Sequence, residues 1–235
     1  MSRTVQLNNV DHRDLRVDTR RSAALGDDVM WAITFPAEFR NVQAHYPIVF
    51  GKSADGEFQP LALFGFTDRQ NLFLDGERWD ATYIPLTIER QPFLIGRSAD
   101  EMLMHIDLDH PRVGTTHGEA LFLPHGGTSA YVEHASSLLN TIHQGLQGTA
   151  PFVAALLQHD LLEPFVLDIR LDDGSDNRLS GYYTINEDRL RQLDGEAFAA
   201  LGRAGHLEAV YMMLASVVRF RDLIERVNRA SAAGR

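Results

Sequence analysis

Residues 102–113 read MLMHIDLDHPRV, and the fold turns on how that stretch is taken. Met102, Met104, Ile106 and Leu108 alternate with Leu103, His105 and Asp107, the period of two expected of a half-buried β-strand. Asp109-His110-Pro111 then reads as a turn, because a residue before proline avoids the helical region. A chemical reading competes with this one. On one strand face His105 and Asp107 would lie about 7 Å apart and could share an ion. With a distant histidine (His143, His134 or His125) they would form the His-x-Asp…His triad of a non-haem Fe(II) oxygenase. Seven of the ten histidines fall between residues 105 and 159, which sustains that alternative. Strand plus turn is the simpler account, so no metal is favoured, with iron as the alternative cofactor.

Outward from this strand the rhythm is similar. YPIVF (46–50), PLALFGF (60–66), NLFLD (71–75), TYIPLTI (82–88) and EALFLP (119–124) read as short strands. ADGEF, DGERWD and the GRSADE segment between them supply turn residues, so close antiparallel connections follow. Pro85 removes a ladder donor and would place TYIPLTI at a sheet edge or a bulge, where a peptide could add as a strand. After Gly127 the period moves toward 3.6. SAYVEHASSLLNTIHQGL predicts a helix capped by Thr128 or Ser129, and PFVAALLQH a shorter one capped by Thr149. FVLDIRL and RLSGYYTI predict a hairpin at 165–185, with Asn186 and Asp194 capping the helical segments beyond it. Residues 206–229 carry an unbroken apolar stripe and read as one long C-terminal helix. The expected fold is α+β. It has a mainly antiparallel sheet at about 45–124 plus the hairpin 165–185, a helical insertion and a helical C-terminus, in one domain with residues 1–40 as an N-terminal arm.

Composition sets the limits on function. A net charge of -10 excludes nucleic acid as the natural partner, since phosphate binding needs an excess of basic residues. With no cysteine, disulfides and thiolate metal sites are ruled out. The first 20 residues are charged throughout, unlike a secretory signal, and the longest apolar run, AVYMMLASVV (209–218), is about half of a membrane span. A cytoplasmic location is the default expectation.

Motifs add little chemistry. GxSxG, HExxH, GxxxxGK[ST] and GxGxxG are absent. LPHGGTSAY (123–131) offers exposed N–H groups for an anion, but its glycines and Thr128 suit a turn and a cap equally well. His12, amid Asp11, Arg13, Asp14 and Arg16, reads as part of a solvated arm. The aromatics Tyr46, Phe64, Phe66, Trp79, Tyr83 and Phe93 fit a core, or else a groove in which Arg78 or Arg90 pairs a ligand carboxylate. The ligand-binding candidates are Tyr46, Trp79, Tyr83 and Arg90.

Taken together, HRDLRV (12–17), AHYPIVF (44–50), PLALFGF, NLFLDGERWDATYIPLTIERQPF (71–93), LDIRLDDGSDNRLSGYYTINEDRL (167–190) and GHLEAVYMMLASV resemble the SapC family of bacterial proteins, in order over nearly the whole chain. The family's name comes from an association with surface-layer protein secretion. Its members are encoded near tryptophan-halogenase-like flavoproteins, cupin-like proteins and TonB-dependent receptors, an association that names no reaction. The resemblance carries no agreed catalytic motif. It implies an accessory or binding protein of a surface-protein, secretion or peptide-modification pathway, with a protein or peptide partner. The alternative is the His-x-Asp…His oxygenase.

Overall fold

The strand read at 102–113 is present as Glu101–Asp107, and it pairs on both sides. The computed structural model describes residues 3–98 and 101–233. Its elements begin with β1 (Thr4–Gln6), β2 (Arg16–Val17), β3 (Trp31–Ile33), α1 (Phe39–Val42), β4 (Ile48–Lys52) and β5 (Phe58–Leu63). Then come β6 (Leu74–Asp75), β7 (Arg78–Trp79), α2 (Leu86–Glu89), β8 (Phe93–Ser98), β9 (Glu101–Asp107), β10 (Val113–Gly114) and β11 (Glu119–Ala120). The helices α3 (Ala130–Gln147) and α4 (Thr149–Gln158) precede a hairpin of β12 (Leu162–Arg170) and β13 (Asp176–Ile185). The chain closes with α5 (Glu187–Arg191), α6 (Gly195–Arg203), α7 (His206–Ser216) and α8 (Arg219–Ala233). Every strand pairing is antiparallel, so the fold is α+β with a helical C-terminus.

The chain folds as two units. Unit 1 takes residues up to Asp28, Phe73–Asp80 and Leu86–Gln144, and unit 2 takes Val29–Leu72, Ala81–Pro85 and the chain from Gly145. Unit 1 holds the small sheets β1-β9-β8, β10-β2-β11 and β6-β7. Ser129 Oγ accepts the N–H of Val132 and starts α3, whose Val132, Ala135 and Leu139 point at Val17, Phe93, Ile106 and Leu121. Each large apolar side chain buried there stabilises the unit by about 1.5–3 kcal/mol. Unit 2 holds the sheet β12-β13-β4-β5-β3 and an aromatic core. Phe152 meets Phe39 edge-on at 6.0 Å, Tyr46 meets Phe64 at 5.1 Å, and Phe165 stacks on Phe220 at 5.1 Å.

Several local expectations need correction. Thr149 does not cap α4, which begins at Thr149 itself with Gly148 as its N-cap. TYIPLTI forms no strand, because Pro85 leads directly into the helical turn α2 and the tyrosine before it is drawn to a buried carboxyl group. NLFLD and EALFLP contract to two-residue strands at 74–75 and 119–120. Residues 93–98, partly assigned above to a turn, form β8. Gly96 sits there because a Cβ would collide with the ring of His105 on the neighbouring strand. The first 40 residues are no arm: β1, β2 and β3 join three different sheets, and His12 is 6% exposed, its Nδ1 accepting the N–H of Asn8. The long C-terminal helix breaks into α7 and α8 at Val217-Val218. Ser216 bends the chain there by donating its hydroxyl to the Met213 carbonyl while accepting the N–H of Ile48.

Candidate functional site

Tyr46 and Tyr83, two of the four ligand-binding candidates, meet inside unit 2. The Tyr46 hydroxyl donates to the Tyr83 carbonyl at 2.5 Å, and the Tyr83 hydroxyl donates to Glu38 Oε1 at 2.9 Å. Thr34 donates to the other Glu38 oxygen at 2.6 Å, and Thr34 and Glu38 are both buried. These bonds satisfy a carboxyl group that would otherwise cost several kcal/mol to bury. Beside them His45 Nε2 lies 2.9 Å from the Thr82 hydroxyl. Burial, reinforced by Arg219 and Arg226, holds the His45 imidazole below the usual histidine range.

Trp79 and Arg90 lie in unit 1. Trp79 is 6% exposed and stacks on Phe73 at 6.4 Å, while Arg90 Nη1 donates to the Phe93 carbonyl at 2.5 Å. His105 turns Nδ1 toward the Leu103 carbonyl at 3.2 Å, Asp107 Oδ1 accepts the N–H of Asp109, and His143 belongs to α3. Among the described residues no three His, Asp or Glu side chains converge on a point that would hold a metal ion. The oxygenase alternative finds no support in this arrangement.

The most buried charges of unit 1 form a clamp. Arg112 Nη2 binds Asp27 Oδ2 at 2.5 Å, and the side chains are 1% and 0% exposed. Its Nη1 donates to the carbonyls of Asp18 and Arg20, and Asp27 also accepts the N–H of Ser22 and an Arg21 N–H. Arg112 thereby fixes the segment 18–27 against β10. The hydrogen bond from Arg20 holds the Asp18 carboxyl at about 2, well below the usual carboxylate range. Among the described residues the bonds of this cluster tie chain segments to one another.

Open space adjoins β9 instead. Two cavities of about 380 and 340 Å³ share Leu103, Met104 and Ser136. Leu7, Phe122, Thr128 and Glu133 extend the first, and Ile95, Met102, Leu139 and Asn140 the second. The cause lies in α3. Val132, Ala135 and Leu139 close on the core, but the next positions round the helix are Ser136, Ser137 and Asn140, too short and too polar to cover the strand. Met102 is accordingly 48% exposed. The result is a groove with an aliphatic and thioether floor and a wall of hydroxyl and amide groups. The sequence carries its signal in the Ser-Ser pair at 136–137, which interrupts the apolar stripe, and in the MLM run at 102–104. Neither was read as a ligand site above.

Unit 2 has a cleft of about 490 Å³ lined by α4, α6 and the start of α7. Ala155, Ala197, Ala200 and Ala204 give it little apolar reach, and Asp194 is committed to capping α6 through the N–H of Ala197. The groove of unit 1 has the richer chemistry.

The SapC family model matches residues 7–223 of the chain. No curated protein and no solved structure matches it. Among the described residues no helix is long and apolar enough to cross a membrane.

Proposed function

We propose that this chain, which belongs to the SapC family, is an accessory binding protein that takes an extended peptide in the groove between β9 and α3. It would serve a surface-protein, secretion or peptide-modification pathway, as the family resemblance implies. The observation that carries the reading is the pair of adjoining cavities either side of Met104. Each falls within the range of about 300–1,000 Å³ common for ligand sites. Methionine and leucine supply an adaptable apolar floor, since the unbranched thioether repacks at low cost. Ser136, Ser137, Asn140 and Thr128 supply partners for peptide N–H and carbonyl groups, which an apolar tail alone would not use. Between Glu133 and Asn140 the helix rises about 10 Å at about 1.5 Å per residue. An extended chain covers that distance in about three residues, so side chains two positions apart enter the two cavities in turn.

The test is fluorescence anisotropy with hexapeptides that alternate leucine with serine, labelled at the C-terminus. Saturable binding is expected for the wild-type chain. Leu103→Arg and Ser136→Trp should each weaken it by at least about tenfold, roughly 1.4 kcal/mol, with the melting temperature unchanged. Absence of binding to the wild-type chain, or binding indifferent to both substitutions, overturns the reading.

A further inference from the structure

We infer that the peptide carries a cationic side chain, Lys or Arg, flanking its first apolar residue, and that Glu133 receives it. This rests on the peptide reading of the groove. Among the described residues Glu133 is the one ionisable side chain lining either cavity, and it stands beside Gln6 and Thr128. Among the described residues the other end is lined by Met102, Leu139 and Asn140, all neutral. Among the described residues the Glu133 carboxylate takes a single long hydrogen bond, from the Thr128 hydroxyl at 3.3 Å, and no ion pair. It is exposed at the rim, so a cation reaches it without burying an unpaired charge. The charge of the whole chain favours the same ligand: at -10 it raises the local concentration of cations and repels acidic peptides. The groove is thus polarised, with a carboxylate at one end and apolar space at the other. A peptide with one cation followed by alternating apolar residues has one preferred direction in it.

The experiment compares two peptides with acetylated N-termini and amidated C-termini, Lys-Leu-Ser-Leu-Ser-Leu and Gln-Leu-Ser-Leu-Ser-Leu, in a label-free calorimetric titration. The lysine peptide should bind about fivefold more tightly at low salt, the upper range for an exposed ion pair, and the margin should shrink in 0.5 M salt. Glu133→Gln should erase the preference, bringing the two peptides to equal affinity. Equal binding of the two peptides by the wild-type chain overturns the inference and leaves the peptide reading standing. A lysine preference that survives Glu133→Gln overturns the assignment to this residue. A glutamine peptide with a free amino terminus that matches the lysine peptide overturns the requirement for a cationic side chain, because the terminus then supplies the cation. If neither peptide binds, the peptide reading falls and the inference with it.

Discussion

Unit 1 and unit 2 bury their interiors with different residues. Of the buried aromatic side chains, Phe35, Phe39, Tyr46, Phe50, Phe64, Phe152 and Phe220 belong to unit 2, and Phe73, Trp79 and Phe93 to unit 1. Unit 2 fills space with rings around one five-stranded sheet. Unit 1, in which β2, β6, β7, β10 and β11 are two residues each, fixes the segment beyond β2 with the Arg112–Asp27 clamp and with backbone carbonyls. The difference teaches where a ligand fits. Interlocked rings leave little room in the aromatic core, whereas a helix that turns serines toward a methionine strand leaves a groove.

The largest effects should separate the two strategies. Arg112→Ala removes the fully buried cation that binds the Asp27 carboxylate and is expected to cost about 3–5 kcal/mol, read from urea unfolding. Joining Arg112→Met to Asp27→Leu should recover most of that loss, because the two fully buried charges are removed together. Phe152→Ala in unit 2 should cost a similar amount, about 3–5 kcal/mol, as a cavity among Phe39, Phe50 and His206. No partner substitution of matching charge should repair it. If the unit 1 double variant is as unstable as Arg112→Ala, the contrast fails.

Acid should act on both units with smaller effect and in two windows. Burial above all, helped by nearby arginines, holds the imidazoles of His45 and His110 below the ordinary histidine value, and burial alone does so for His206. A base with a depressed folded value contributes stability above its unfolded value of about 6.5, and loses it as pH falls below that point. Asp18 acts later and in unit 1 alone. Its carboxyl sits at about 2 because of Arg20, against 3.8 when free, so its contribution is present above pH 4 and disappears between 4 and 2. With Arg20 half exposed, solvent screening limits that contribution to on the order of 1 kcal/mol. Asp18→Asn should flatten the lower window in a stability-against-pH series and leave the window near 6.5 intact. A lower window unmoved by Asp18→Asn contradicts this account.

Much of the architecture was legible in local pattern. The alternation in 102–108, the Asn186 and Asp194 caps and the hairpin turn at DDGS are fixed by residues within a few positions of one another, and each stands where the pattern puts it. What failed depends on distant partners. Tyr83 looks like a strand residue until Glu38 is beside it, and Gly96 looks like a turn residue until the His105 ring lies across it. The groove was hidden for the same reason. Ser136 and Met104 are unremarkable in their own segments, and the space between them exists only once α3 lies on β9.

The central claim, that the ligand lies between β9 and α3, is tested most directly by photo-crosslinking. A hexapeptide of the lysine series with photo-leucine in place of one leucine would be irradiated on the full chain and the adduct sites mapped by mass spectrometry. Adducts at Met102, Leu103, Met104 or Ser136, competed away by unlabelled peptide, are the predicted result. Competable adducts confined to the cleft of α4, α6 and α7, or to the segment around Tyr46 and Tyr83, would contradict it.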